Sequence, residues 1–265
     1  MSMITLSATD LGLAAILIIL LALLSRRMQL GLEGRLIIAA LRTVVQLLLI
    51  GLVLQALFSH IHLWWIAAMA TIMLLAAGRE VMARQQRRFS GWWGYGMGTT
   101  AMFISSFSII VLALVTIIGT KPWYTPQYAI PLLGMMLGNT MNGIALALDR
   151  LTQTTWQQRA VIEQRLMLGS TRTEAIRGIR REAMRSGMMP MINAMSAAGL
   201  ISFPGMMTGQ ILAGSPPIEA VKYQILIMFL ITGGTGFGVS TALWMASRRL
   251  FDDRHRLRLD SLKTR

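Results

Sequence analysis

The amino-acid sequence predicts an all-α polytopic membrane protein with about seven transmembrane helices, forming one transmembrane domain over residues 1–265. Hydrophobic residues make up 54% of the chain and charged residues only 14%, against about a quarter in soluble domains. The mean hydropathy is +0.58. The charges lie in blocks between long apolar runs, a membrane-topology pattern. This order argues against nucleic-acid binding, which the net charge of +14 would otherwise suggest.

Seven apolar runs are candidates for transmembrane helices, since a helix needs about 20 mostly apolar residues to cross the hydrocarbon core. The first run is short, but no basic residue precedes Arg26, so it lacks the positive start of a signal peptide. The predicted spans are Leu11–Leu24, Leu36–Phe58, Leu63–Ala77, Met97–Gly119, Tyr128–Leu148, Met188–Ala213 and Val221–Ala246.

The basic residues predict the orientation of these spans. Assigned by loop, 23 of the 25 Lys and Arg fall on one side, and only Lys121 and Lys222 fall on the other. The positive-inside rule places the first group in the cytoplasm. We therefore expect an external N-terminus, a cytoplasmic hairpin at 149–187 and a basic cytoplasmic tail at 247–265. The expected location is the bacterial inner membrane, in contact with its lipids.

Residue types that the chain lacks restrict its source of energy. All 11 acidic residues fall in loops or at span ends, whereas proton-coupled carriers usually need an acid or His inside the membrane. None of the three Lys follows a Gly, so the Gly-Lys of a P-loop is absent. Cys is also absent, which excludes disulfides and thiolate metal sites. We expect no enzyme activity and no bound cofactor in this chain.

The longest polar stretch, Asp149–Gly187, predicts two short helices with a break between them. Thr155–Gln158 and Thr171–Glu174 each fit a capping box at a helix start. Gly169 suits the left-handed position after a helix end. On the second helix Ile176, Ile179 and Ala183 share one face. The hairpin is either a plain surface loop or an element that docks on a cytoplasmic protein.

Several motifs carry a resemblance to known membrane proteins. Glu163, Gly169 and Ile179 have the spacing of the EAA loop of ABC importer permeases, although Gln164 and Arg165 replace its two Ala and its later Pro is absent. The runs Ala129–Asn139, Leu168–Thr171, Gly199–Gly209 and Glu219–Gln224 resemble FetB-type (YbbM-like) permeases. Those proteins are described as membrane subunits of an ABC exporter for iron, and plant relatives are linked to aluminium tolerance.

The resemblance implies a permease that works with a separate cytoplasmic ABC ATPase, which would bind ATP and Mg²⁺. Because ABC ATPases work in pairs and one chain offers one hairpin, we expect a homodimer. The direction of transport stays open, since the hairpin resembles importers and the family is described as exporting. The residues expected to dock on the ATPase are Glu163, Leu168, Gly169, Ser170, Thr171, Ala175 and Ile179.

Polar residues inside the spans are candidates for a substrate path, because such residues are costly in a membrane. Asn139 and Asn142 share a helix face, as do Asn193 and Ser196. Interhelical hydrogen bonding is the alternative explanation, and it is favoured over a substrate role. A break at Pro204 and Gly205 would expose carbonyls that can bind a cation, although a simple kink fits equally well. Met206 and Met207 could bind a soft metal, but helix packing is the favoured explanation. His60 and His62 form a weak external metal site.

Two other functions fit the same sequence. A self-contained channel or secondary carrier would need no partner, but its spans lack acids. A membrane scaffold would recruit a cytoplasmic protein without moving a solute. An intramembrane enzyme fits least well, because no His–Asp set or HExxH motif is present.

Overall fold

The computed structural model describes residues 7–59, 62–252 and 254–264. Within these ranges the chain is mainly helical, which confirms the predicted all-α class. The helices are α1 (Ala8–Arg27), α2 (Glu33–Ser59), α3 (Leu63–Ala83), α4 (Trp92–Met102), α5 (Ser108–Leu112), α6 (Pro126–Gln157), α7 (Arg159–Met167), α8 (Arg172–Ala175), α9 (Arg177–Ala197), α10 (Gly205–Leu212) and α11 (Pro217–Arg249). The strands are β1 (Arg87–Phe89) and β2 (Leu262–Thr264).

Six helical segments of the described chain are long and apolar enough to cross a membrane. They are Thr9–Arg27, Glu33–Phe58, Leu63–Ala83, Trp92–Ile118, Pro126–Gln157 and Pro217–Arg249. Each contains one predicted span or most of it. The predicted span Met188–Ala213 is discontinuous, because α9 ends at Ala197 and α10 begins only at Gly205. Gly199, with φ +85°, and Pro204 lie in this gap.

The described residues divide into two compact units. The first unit comprises the described residues up to His62, with Leu212–Gly214. The Ser25 hydroxyl closes the turn between α1 and α2, accepting from Leu32 N at 3.2 Å and donating to Glu33 Oε2 at 3.3 Å. Most apolar side chains of α1 and α2 are exposed, as in helices that face lipid.

In the second unit, the long helices α6 and α11 form the centre, and α3, α4 and α9 pack around them. The fully buried side chains of Ile144, Leu148 and Leu151 on α6 contribute to the core with Val239 and Ala242 on α11. Two π-helical turns, Phe103–Phe107 and Ala113–Ile118, lie on either side of α5.

Glycines allow α6 and α11 to approach each other closely. A Cβ at Gly143 would lie 2.6 Å from Thr235 Cγ2, and a Cβ at Gly238 would lie 2.6 Å from Thr140 Cγ2. Each helix therefore places a threonine methyl group against a glycine of the other. Small residues bring membrane helices together in this way, because close packing replaces the missing hydrophobic drive.

The C-terminal residues belong to the second unit, where they pair with the short strand that follows α3. Arg87, Arg88 and Phe89 of β1 pair antiparallel with Thr264, Lys263 and Leu262 of β2. Arg258 N donates to Leu250 O at 2.8 Å, and the Thr152 hydroxyl of α6 donates to Arg87 O at 2.9 Å. These contacts place the C-terminal ends of α6 and α11 together with β1 and β2 at one end of the unit. We name this the basic end.

One predicted helix start is wrong. Thr155 does not cap a helix, because α6 continues through it to Gln157 and its side chain is fully buried. The helix that follows, α7, begins after Gln158 without a side-chain cap. The capping box at Thr171 is confirmed: Thr171 Oγ1 accepts from Glu174 N, and the Glu174 carboxylate accepts from Thr171 N.

Candidate functional site

The turn between α7 and α8 is built from local hydrogen bonds around Gly169. This residue has φ +90°, a left-handed conformation that favours glycine. Gly169 N donates to Leu166 O and Ser170 N donates to Arg165 O, each at 3.0 Å, which closes the end of α7. Arg165 Nη1 then donates to Ala175 O at 3.2 Å and ties the two arms of the turn together.

Buried side chains fix this turn to the rest of the second unit. Ile162, Ala175, Ile176, Ile179 and Ala183 are all buried in the core cluster. The shared face predicted for Ile176, Ile179 and Ala183 is thus the buried face. Of the residues predicted to dock, Ala175 and Ile179 are buried in the core, so they anchor the turn and do not form its exposed surface.

The tip of the turn is apolar and exposed. Met167 and Leu168 each expose 80% of their surface. They are adjacent in a turn that the basic residues predict to lie outside the membrane, so lipid does not account for their exposure. Beside them lies an open groove of about 770 Å³. One wall holds Glu163, Leu166, Met167, Gly169, Ser170 and Thr171, and the other holds Arg254, His255, Arg256 and Leu257.

The second wall of the groove is held by Asp252. Its Oδ1 accepts from Arg256 N at 2.8 Å and from Arg254 N at 3.0 Å, and its Oδ2 accepts from Arg256 Nε at 3.0 Å. The backbone bond from Arg256 is the main reason why the pKa of Asp252 lies below its ordinary value. The carboxylate therefore stays ionised at neutral pH and keeps the turn closed.

The sequence motifs predict no site residue in this tail. A usable signal was present, since Arg256-Leu257-Arg258-Leu259 alternates charged and apolar residues, a pattern typical of a half-buried strand. Leu257 and Leu259 do pack against the core. The pairing partner of the tail, β1, lies far away in sequence, and no local pattern identifies it.

The polar candidates of the substrate path lie on α6 and α9, two helices that pack against each other. Asn139 Nδ2 donates to Met135 O at 2.8 Å, and the Ser196 hydroxyl donates to Ile192 O at 2.9 Å, each within its own helix. Asn142 Oδ1 accepts from Arg84, the residue that follows α3. Asn193 is exposed. Within the described chain no hydrogen bond joins the two pairs, so each helix presents its polar groups separately.

The break between α9 and α10 holds the other candidates. The chain turns at Gly199, whose N–H donates to Ser202 O at 2.9 Å. Pro204 O accepts from Thr208 N at 3.1 Å, and Gly205 begins α10. Met207 is buried and Met206 packs beside the core. The helix break expected from Pro204 and Gly205 is therefore present.

The candidate metal ligands give no cluster in the part that the structure describes. Residues 7–59, 62–252 and 254–264 contain no group of three or more His, Asp or Glu side chains that could hold a metal ion. His62 is exposed, and His60 lies outside the described residues, so the predicted pair stays a prediction.

The long apolar helices and exposed apolar surface define the class of the molecule as a multi-pass α-helical membrane protein. The sequence profile of a family described as "Uncharacterised protein family (UPF0014)" matches residues 8–251. The chain belongs to this family.

Named relatives come from bacteria and plants. The UPF0014 membrane protein slr1647 of Synechocystis sp. is 42% identical over 206 residues, 76% of this chain and 77% of that protein. The "Probable iron export permease protein FetB" of Escherichia coli is 29% identical over 259 residues, 96% of each chain. Protein ALUMINUM SENSITIVE 3 of Arabidopsis thaliana is 31% identical over 245 residues, 92% of this chain and 88% of that protein. These matches confirm the resemblance to FetB-type permeases. No solved structure matches the chain.

Proposed function

We propose that this protein is the membrane-spanning subunit of an ATP-driven ABC transporter that exports metal ions, with iron as the cargo. The observation that carries the proposal is the apolar tip Met167–Leu168 beside the groove of about 770 Å³. A rigidly anchored, exposed apolar turn suits docking on another protein. The relative named as an iron export permease supports the cargo and the direction.

A separate ATPase subunit supplies the energy in this proposal, because the sequence contains no Gly-Lys from which a P-loop could be built. The ATPase would seat a surface element in the groove between α7 and the C-terminal turn. Its movement would reach the core through Ile162, Ala175 and Ile179, which are packed against the membrane helices. Closing of an ATPase pair would then shift two permease copies between two packed states.

The neutral oxygen atoms of Asn139 and Asn193, with carbonyls freed near Pro204, are the proposed contacts of the metal ion along its path, whereas the Asn142 oxygen already accepts from Arg84. Hard cations prefer oxygen ligands over thioethers, so the methionines serve packing in this proposal. A path lined by neutral groups lets an ion leave as well as enter, since conduction needs weak binding.

Co-purification tests the docking step. The permease is co-expressed with an ABC ATPase encoded beside it in the genome, and the amount of ATPase recovered with it is measured. Met167→Asp places a charge at the exposed tip, on a residue that lines the groove, and should abolish recovery. Val161→Asp on the same helix α7 changes an exposed aliphatic residue that does not line the groove, and it should leave recovery unchanged. Equal recovery from both variants would remove the groove from the mechanism.

Transport in proteoliposomes tests the function itself. Iron movement should need both subunits and ATP, and it should stop when the P-loop lysine of the ATPase is replaced. Uphill iron movement by the permease alone would identify a self-contained carrier. Tight ATPase binding without movement of any metal would identify a scaffold.

A further inference from the structure

We propose that the basic end of the second unit carries a binding site for the phosphodiester headgroup of an anionic phospholipid, formed by Arg172, Arg180, Arg248 and Arg249 around Trp244. This inference does not depend on transport or on the ATPase. It starts from two neighbouring pockets whose walls have different chemistry and which share Trp244 and Arg248.

The first pocket is polar. It has a volume of about 170 Å³ and is lined by Arg172, Thr173, Ile176, Arg180, Trp244, Ser247 and Arg248. Three guanidinium groups therefore line one small space. Within the described part of the chain none of the three forms an ion pair with a carboxylate. Like charges in one pocket repel each other, and a bound anion would offset this repulsion.

A second observation in the same pocket points to a ligand. Ser247 is 8% exposed, and its hydroxyl has no hydrogen-bond partner within the described structure. A buried hydroxyl without a partner is unfavourable, and rotation about χ1 would turn this enclosed hydroxyl toward a phosphate oxygen in the pocket. Three guanidinium groups and one hydroxyl are the donors that phosphate oxygens prefer.

The second pocket is mainly apolar and has a volume of about 240 Å³. It is lined by Trp93, Met97, Trp244, Met245, Arg248 and Arg249. The Arg248 guanidinium carbon lies 4.2 Å from the centroid of the Trp244 ring, and that of Arg249 lies 4.9 Å from the Trp93 ring. Each guanidinium lies within cation–π distance of an indole, which places it in the pocket while its N–H groups can still donate to a phosphate.

The pairing of a polar and an apolar pocket favours a lipid over free phosphate. Inorganic phosphate would fill only the arginine pocket, whereas a phospholipid would also place its glycerol and first methylene groups against Trp93, Met97 and Met245. The position agrees, since Trp93 lies at the start of α4 and Arg248 at the end of α11, where two apolar helices end. Tryptophan and arginine gather at this depth of a bilayer, and basic pockets between membrane helices bind anionic headgroups.

Native mass spectrometry of the purified full-length protein tests the site. It is titrated with phosphatidylglycerol or with phosphatidylethanolamine of the same acyl chains, and the Kd of the first bound lipid is measured. Phosphatidylglycerol should bind more tightly. Arg180→Gln/Arg248→Gln should raise its Kd about tenfold for each arginine removed. The control Arg181→Gln/Arg185→Gln removes the same charge from α9 outside both pockets and should leave the Kd unchanged.

A second variant and a competition with inorganic phosphate test the same assignment. If the first variant does not stay folded, Arg172→Gln/Arg249→Gln removes one arginine from each pocket and should weaken binding similarly. Excess inorganic phosphate should not displace the lipid. Displacement by phosphate, equal binding of both lipids, or equal effects of test and control variants would each overturn the proposal.

Discussion

Gly169 sets the direction of the chain between α7 and α8, and its conformation makes it sensitive to substitution. Gly169→Ala should lower the free energy of unfolding by about 1–2 kcal/mol, because an alanine at φ +90° is strained. No atom lies within 4 Å of the Cβ position, so the effect is purely one of backbone strain. The measurement is the thermal unfolding midpoint in one detergent.

The control for this substitution is Gly178→Ala. Gly178 lies inside α9, also has no atom within 4 Å of a Cβ, and has no positive φ. Alanine is the better helix former there, so the variant should be as stable as the parent or slightly more so. Equal destabilisation by both substitutions would show that the left-handed conformation at Gly169 does not explain the loss of stability.

The capping box at Thr171 makes the turn sensitive to pH. Hydrogen bonds from the Thr171 hydroxyl, at 2.7 Å, and then from its N–H, at 2.9 Å, hold the pKa of Glu174 below its ordinary value of 4.5. Because the folded-state pKa is the lower one, the carboxylate stabilises the fold above the ordinary pKa. This contribution is lost as the pH falls through the lowered value.

The parent should therefore be more stable than Glu174→Gln at pH 7, and the two should converge below the lowered pKa. Unfolding midpoints measured across this pH range check the expectation. Glu163→Gln removes the same charge from α7, where no capping bond exists, and should not affect stability at pH 7. A difference between the parent and Glu174→Gln that is independent of pH would contradict the assigned cause.

At the scale of elements, the close crossing of α6 and α11 depends on glycines whose neighbouring atoms leave no room for a side chain. Gly143→Ala would place its Cβ 2.6 Å from Thr235 Cγ2 and 3.0 Å from Gly187 O, so the helices would have to move apart. We expect a loss of about 1–3 kcal/mol, as for overpacked cores. Gly138→Ala on the same helix meets no atom within 4 Å and should be neutral. Similar unfolding midpoints for both variants would contradict this packing.

The sequence predicted those elements whose signals are local. Apolar runs identified the six long helices, and the Thr171–Glu174 pattern identified a helix start correctly, since both depend on neighbours along one segment. The same capping pattern at Thr155 failed, because packing of α6 in the core overrides a cap signal.

The candidate site was predictable on one side only. The turn at Gly169 follows from the sequence, whereas the wall at 254–257 does not. That wall depends on a pairing between β1 and β2, more than 170 residues apart along the chain. The burial of Ala175 and Ile179 likewise results from tertiary packing, and their spacing in the sequence does not show which helices cover them.

At the scale of the whole molecule, the connectivity of the second unit bears on the number of crossings. The C-terminal ends of α6 and α11 both lie at the basic end, so the chain must return to the opposite end between Arg177 and Pro216 before α11 begins. Only α9, the break and α10 are available for this return. We therefore predict that they form a seventh crossing made of two pieces, although it is not one continuous apolar helix. Such broken crossings occur where the irregular backbone is shielded from lipid.

Cysteine accessibility can decide the number of membrane crossings, because the chain has no native Cys. Single cysteines replace Lys121, Leu168 and Ser215 in turn, and spheroplasts are treated with a membrane-impermeant maleimide. With an external N-terminus and seven crossings, Lys121→Cys and Ser215→Cys should react at once, and Leu168→Cys only after the membrane is opened. Ser215 is decisive, because without the broken crossing it would lie on the same side as Leu168. Protection of Ser215→Cys together with Leu168→Cys would limit the protein to six crossings and separate Ser215 from the face that carries Lys121.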